Sequence, residues 1–308
     1  MSGDDEGAAG STTQLQAIPS KPAYLGALAI RRALPVREKR TIGPWCFLDR
    51  YGPLTFSDAR PMDALPHPHI GIQTVSWLLD GELEHYDSLG YDSVVRAGGV
   101  NVMTAGRGIA HAERTPASNR GRLDGVQLWV ALPDDSRHVA PSFEHLAEVP
   151  RVDLPGGSAS VFIGAAAGAA SPASRHSEML GAEIACHPGA ATGLDLDRGF
   201  EHGIFVASGD AELEGRALDV NTLYFAPPGR AGLELRSRDG ARIILVGGTP
   251  LVTPIVIWWN FVARSAAEIA AAREAWESGT GFDPVVGHDG PRVPAPPLVR
   301  PASPPAQR

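Results

Sequence analysis

The sequence predicts an all-β protein of two tandem antiparallel barrels with one short helix near the C-terminus. Three observations predict it. Glycine (35 residues) and proline (27 residues) recur every several positions along the 308-residue chain, and the segments they bound are rich in Val, Ile, Leu, Trp and Thr, the mark of many short strands. The strand-and-turn rhythm of the first half repeats in the second. Helical periodicity is confined to one stretch. A chain of this length also lies where a single core usually divides in two.

Strands in the first half are expected at Gln73 to Leu79, closed by an Asp80-Gly81 turn, then Leu83 to Asp87, Val94 to Arg96, Asn101 to Thr104 and Val126 to Leu132. The second half offers Glu183 to Cys186, Gly203 to Ala207, Ala211 to Leu213, Thr222 to Ala226, Leu233 to Arg236 and Arg242 to Val246. The helix is expected over 265–277: Ser265 can cap its start with Glu268 three residues on, and Gly279 and Gly281 follow its end. Ile269, Ala272, Arg273 and Trp276 mark its inner face. The uncharged stretch from Ile243 to Ala263 is broken by Gly247, Gly248, Pro250, Pro254 and Asn260, so it reads as strand, turn and strand rather than a membrane span.

This gives a disordered segment at 1–22, a first barrel at 23–145, a second barrel with the helix at 146–290, and a Pro-rich disordered tail at 291–308. The net charge of −8 argues against direct binding to nucleic acid, which rests on clustered Lys and Arg. Cys46 and Cys186 stand far apart without a CxxC spacing, which points away from disulfide scaffolds and thiolate zinc sites and toward a reducing, cytoplasmic setting. The first fifteen residues lack the basic start and apolar run of a secretory signal. A monomer is expected.

The chemistry concentrates in two places. Pro66-His67-Pro68-His69 sets two imidazoles at i and i+2, which on a strand share one face. The intervening proline lacks an amide hydrogen, so the segment belongs at a strand edge or a first strand residue, near a barrel mouth. The run Met103 to Glu113 places a Gly-rich turn before His111 and Glu113, again at i and i+2. Three imidazoles and a carboxylate form a nitrogen and oxygen donor set suited to iron, manganese, nickel or zinc. Elsewhere, His85 and Asp87 share a face, read as a structural hydrogen-bonded pair outside the site. Trp77 shares parity with His69, so it either walls a cavity or fills the core, and Arg107 either steers an anion or is solvated. His187 and His202, without a second ligand strand, read as structural or surface residues.

These motifs resemble the pirin family of the cupin superfamily. The resemblance rests on His67-Pro68-His69 with Thr74 to Leu79, on Glu84 to Gly90, and above all on the ungapped Met103 to Glu113. It extends through Gly248 to Leu251 and Trp258 to Val262, covering about Ile30 to Gly287. It implies a bicupin whose first barrel binds one divalent metal through His67, His69, His111 and Glu113, Fe(II) foremost with Mn, Ni, Zn or Cu as alternatives, and whose second barrel has lost its site. It implies either a quercetin 2,3-dioxygenase-type cleavage of flavonols, small aromatic substrates, with Glu113 as ligand and base, or an iron-dependent redox-sensing protein that modulates a transcription factor or metabolic enzyme. Gln73 stands where cupins generally carry Glu, which puts a proton shuttle there in doubt.

Overall fold

In a computed structural model, residues 15–57 and 60–298 are described. The strands of the first half are β1 (Gln16–Pro19), β2 (Lys21–Leu25), β3 (Leu28–Leu34), β4 (Trp45–Thr55), β5 (Asp63–His69), β6 (Ile72–Asp87), β7 (Asp92–Arg96), β8 (Val100–Thr104), β9 (Ile109–Arg114), β10 (Arg122–Ala131) and β11 (Ser142–Leu146). The second half contributes β12 (Arg151–Leu154), β13 (Gly157–Ala166), β14 (Ala169–Ala170), β15 (Met179–Cys186), β16 (Ala190–Asp195), β17 (Glu201–Gly209), β18 (Ala211–Leu213), β19 (Arg216–Leu218), β20 (Thr222–Ala226), β21 (Gly232–Ser237) and β22 (Ala241–Gly248). A return segment of β23 (Val256–Trp258), β24 (Phe261–Ala263) and α1 (Ala266–Ser278) closes the fold.

The first barrel curls one long sheet, ordered β11-β8-β6-β10-β4-β3-β2, against a smaller face in which β6 also pairs β7 and β9, and β9 pairs the edge strand β5. Strand β6 serves both faces because it is bent rather than ended at Asp80-Gly81. Gly81 takes φ +87° and the opposing ladder shifts register between Asp124 and Gly125, so the expected turn is a bulged bend within one 16-residue strand. The second barrel sets β1-β20-β17-β22-β15-β13-β12 against β16-β21-β18-β19.

The barrels stand back to back. Val75, Trp77, Val126, Leu128 and Val130 on the outer face of the first long sheet pack against Phe162, Ile163, Phe205, Ile244 and Val246 of the second. The central strands therefore bury both faces, which is why they read as continuous apolar runs. Polar groups fix this interface: Trp45 Nε1 donates to the carbonyls of Leu180 (3.1 Å) and Gly247 (3.0 Å), and Trp77 Nε1 donates to Glu183 Oε2 at 2.8 Å.

Three expectations are corrected. The segment 1–22 is not wholly without structure: β1 pairs with β20 of the second barrel, Gln16 opposite Phe225, because Ile18 inserts into the interface core at 4% exposure. Residues 1–14 lie outside the described residues. The return segment, grouped by sequence with the second barrel, lies on the first: Ile70 bridges to Phe261, and Ile269, Trp276 and Phe282 cluster with Ala110. The Pro-rich tail is held over its described part, residues 291–298. Val293 N donates to Pro66 O (2.9 Å), Trp276 Nε1 to Val293 O (2.8 Å) and Ala295 N to Glu277 Oε1 (2.8 Å). Residues 299–308 lie outside the described residues. The helix has the expected caps, Ser265 Oγ accepting from Glu268 N and Gly279 in the left-handed region. Among the described residues no helix is long and apolar enough to cross a membrane.

Candidate metal centre

Three strands bring three i, i+2 pairs onto one inner face. In the β5–β9 ladder His67 lies opposite His111, and in the β6–β9 ladder Asp87 lies opposite His111 and His85 opposite Glu113. Pro68 sits opposite Ala110 on the edge strand, where its missing donor costs no ladder bond. His67, His69 and His111 can offer nitrogens that all lie within 4.8 Å of one another, and a second such group, His85, His111 and Glu113, overlaps the first at His111.

The ring nitrogens are oriented by what surrounds them. Backbone carbonyls only accept, so His67 Nδ1 donates to Leu65 O (2.8 Å) and His69 Nδ1 donates to Asn260 O (2.9 Å). Each neutral ring then presents Nε2 as a bare lone pair. His85 Nε2 donates to Asp87 Oδ2 at 3.1 Å, leaving its Nδ1 to face His111 Nδ1 at 3.5 Å, which turns the proton of His111 away from its Nε2. Consequently Nε2 of His69 and Nε2 of His111 confront each other across 3.1 Å, an arrangement that a cation between them would satisfy. Burial keeps the rings neutral: it drives His67 down to about 4 and holds His69 and His111 well below the ordinary imidazole range. Burial also lifts the Glu113 carboxyl above its usual range, against the opposing pull of His85 and of hydrogen bonds from Ser76 and Gln127. Ser76 Oγ donates to Glu113 Oε1 at 3.0 Å and lies 2.9 Å from Gln127 Oε1. The donor set and its orientation therefore fit a divalent metal.

A cavity of 320 Å³ opens onto this cluster. His67, His69, His111 and Glu113 line it with Gln127 and Asn260, and Phe47, Met62, Trp129 and Trp259 supply apolar walls. Phe47 and Trp129, partners across β4 and β10, stack with centroids 4.0 Å apart, and Trp129 meets the His69 ring edge to face. A larger cleft of 590 Å³ on the second barrel, walled by Ala165 to Ala170, carries no imidazole.

All four residues expected at the site thus line one cavity. His85 and Asp87, expected as a hydrogen-bonded pair, form one, and it stands behind His111. Ser76, Gln127 and Asn260 had no local signal. Trp77 faces the other barrel instead, and Gln73 donates to Thr104 Oγ1 and Ser174 O, away from the imidazoles. Arg107 is exposed and lines a separate cleft under α1 with Arg137 and Phe282. His187 is exposed, whereas His202 is fully buried inside the second barrel.

Two antiparallel barrels back to back, with an imidazole and carboxyl cluster inside one, define a bicupin. Residues 27–130 match the family model for pirin and residues 181–282 the model for the pirin C-terminal cupin domain, and the chain belongs to the pirin family. It is 42% identical over 286 residues to a Pseudomonas aeruginosa protein provisionally named quercetin 2,3-dioxygenase, covering 92% of this chain and 90% of that one. A pirin-like protein of Caulobacter vibrioides is 36% identical, covering 86% of this chain and 93% of that one. The crystal structure of a quercetin 2,3-dioxygenase from Acinetobacter baumannii superposes with a TM-score of 0.89 at 38% identity, covering 94% of this chain and 96% of that one.

Proposed function

We propose that the chain is a metal-dependent oxygenase of the quercetin 2,3-dioxygenase type that holds one divalent ion through His67, His69, His111 and Glu113, Fe(II) foremost among the ions such a donor set suits. The observation that carries this reading is the convergence of bare Nε2 lone pairs beside a buried carboxyl in an aromatic-walled cavity. The names of the P. aeruginosa and A. baumannii relatives support the choice of flavonol. When bound, the ion would act as a Lewis acid on the substrate's adjacent oxygens and favour loss of a hydroxyl proton. Glu113 lines the cavity and is placed to take that proton, its Oε1 held by the Ser76 hydroxyl. Phe47, Met62, Trp129 and Trp259 give the flat rings apolar walls that keep water from the reacting face.

The test begins with the metal content of anaerobically purified protein beside His111→Ala. About one divalent ion per chain is expected, lost in the variant. Oxygen uptake by the metal-loaded wild type on adding quercetin is then expected. Absence of uptake with every flavonol tried would sink the oxygenase reading.

A further inference from the structure

The net charge of −8 conceals a local excess of cations. β2 and β3 pair antiparallel with Lys21 opposite Arg32, and the chain then turns through Pro35 to Arg40, where Val36 N donates to Lys39 O at 3.0 Å. This path gathers Lys21, Arg32, Arg37 and Arg40 around one cleft of 400 Å³, whose other walls are Pro22, Ala23, Pro35 and Val36. Among the described residues no carboxylate lines it; Glu38, in the same turn, lies outside the lining. Lys21, Arg37 and Arg40 are exposed, and among the described residues their side chains make no hydrogen bond or ion pair. Lys39 differs, being engaged by Glu201 at 2.7 Å. Arg32 is half engaged: Nε and Nη2 donate to Asp49 at 2.8 and 2.7 Å, and Nη1 has no partner among the described residues. Four like charges around one hollow repel one another, and an anion placed there relieves that repulsion.

We propose that this cleft is a second binding site, for a small soluble phosphate ester. It goes beyond the flavonol reading and does not depend on it. A phosphate monoester carries a charge of about −1.5 to −2 at pH 7 and three strong acceptor oxygens. One such group answers three cations, whereas the single charge of a carboxylate leaves most of them unmet. Guanidinium groups suit it further, because their planar fork donates two parallel hydrogen bonds to phosphate oxygens. Pro22, Pro35 and Val36 offer an apolar shelf to the organic part of the ligand, and the cleft has the size of a small-molecule site. The cations meet at one hollow rather than along a track, which fits a small molecule and not a nucleic-acid backbone. Arg32 lines the metal cavity as well, so the two sites adjoin through one side chain.

The test titrates phenyl phosphate calorimetrically into metal-loaded wild type at low salt. Saturable binding is expected, weakened about tenfold or more in the double variant Arg37→Ala, Arg40→Ala, the worth of one charge-assisted hydrogen bond. Metal content and unfolding midpoint should be unchanged in that variant, because the two side chains hold nothing in the folded protein. His111→Ala should bind phenyl phosphate as the wild type does. Equal affinity in wild type and double variant, or loss of binding in His111→Ala, would place the phosphate on the metal centre or elsewhere and overturn the proposal. Equal affinity for benzoate would overturn it too, by showing that one charge and a ring suffice, as would the absence of saturable binding in the millimolar range. In a further arm the protein is sedimented with vesicles carrying phosphatidylinositol phosphates. Capture that the double variant abolishes, without binding of phenyl phosphate, would overturn the soluble ligand in favour of a lipid headgroup. Oxygen uptake enters none of these arms, so failure of the oxygenase reading leaves the outcome intact.

Discussion

His69 shows how much of the centre depends on groups far away in sequence. Its parity with His67 is legible, because alternation along a strand needs only two residues to read. The carbonyl that fixes its tautomer belongs to Asn260, 191 residues on, and nothing local to either position announces the pairing. Tyr51, Ser76 and Gln127 are hidden for the same reason: they reach the cavity through the register of β4, β6 and β10, which sequence does not display. The buried rings also bear on the response to pH. An ordinary imidazole would surrender metal below about pH 6, whereas burial holds His67 at about 4 and His69 and His111 well below the ordinary imidazole range in the folded protein. In the unfolded chain these rings titrate near 6.5. Between those values the unfolded state binds more protons, so stability is complete above about pH 6.5 and falls as pH drops toward 4. Glu113, Asp49 and Asp124, raised by burial, work in the opposite sense, but among the described residues these three carboxyls stand against five lowered imidazoles, His145 and His202 included. The metal-free protein should therefore unfold at a lower temperature at pH 5 than at pH 7 in differential scanning calorimetry, while metal-loaded protein keeps its ion at pH 5 by elemental analysis.

At the scale of elements, the strands themselves were legible and their faces were not. β6 is buried on both sides: Val75 and Trp77 enter the inter-barrel core, while Ser76 reaches Glu113 inside the barrel. A run buried on both faces carries no alternation to say which face meets the ligand, so the placement of Trp77 could not be decided. The turns tell a similar story. Gly71, two residues after His69, takes φ +70°, and a Cβ there would lie 2.1 Å from Val262 O of the return segment. Its N–H donates to Gly106 O at 2.9 Å, tying the end of β5 to the turn before β9. Gly71→Ala should cost at least about 1–3 kcal/mol in chemical denaturation, from the backbone strain alone. It should also weaken metal retention, since both ligand strands are anchored through this residue. Unaltered stability would mean that Val262 yields without resistance.

For the whole molecule, the two-barrel plan followed from length and repetition, but the exchange of segments between barrels did not. Near the start of the described residues β1 joins the second barrel's sheet, and near their end Val293 lies against the first barrel's edge, so each barrel takes a segment from the other half. Ile18 is the only buried residue of β1, and an isolated four-residue strand offers no pattern to read. Removing residues 1–19 should destabilise the protein by roughly 2–3 kcal/mol, the worth of burying one large aliphatic side chain. The metal site should survive, because its ligands lie in the first barrel. Urea unfolding of the truncated chain with metal content measured in parallel would check both halves of that statement.

The pairing of Gln16 with Phe225 also has a bearing on synthesis. β1 leaves the ribosome before the strand it pairs with, which is translated more than two hundred residues later. At about 5–20 residues per second the wait is on the order of 10–40 s. During that time the first barrel can close, but its apolar outer sheet has no second barrel to cover it. The nascent protein is then half a sandwich with an open face, and it depends on the pace of translation, or on a chaperone, to stay single until β20 arrives.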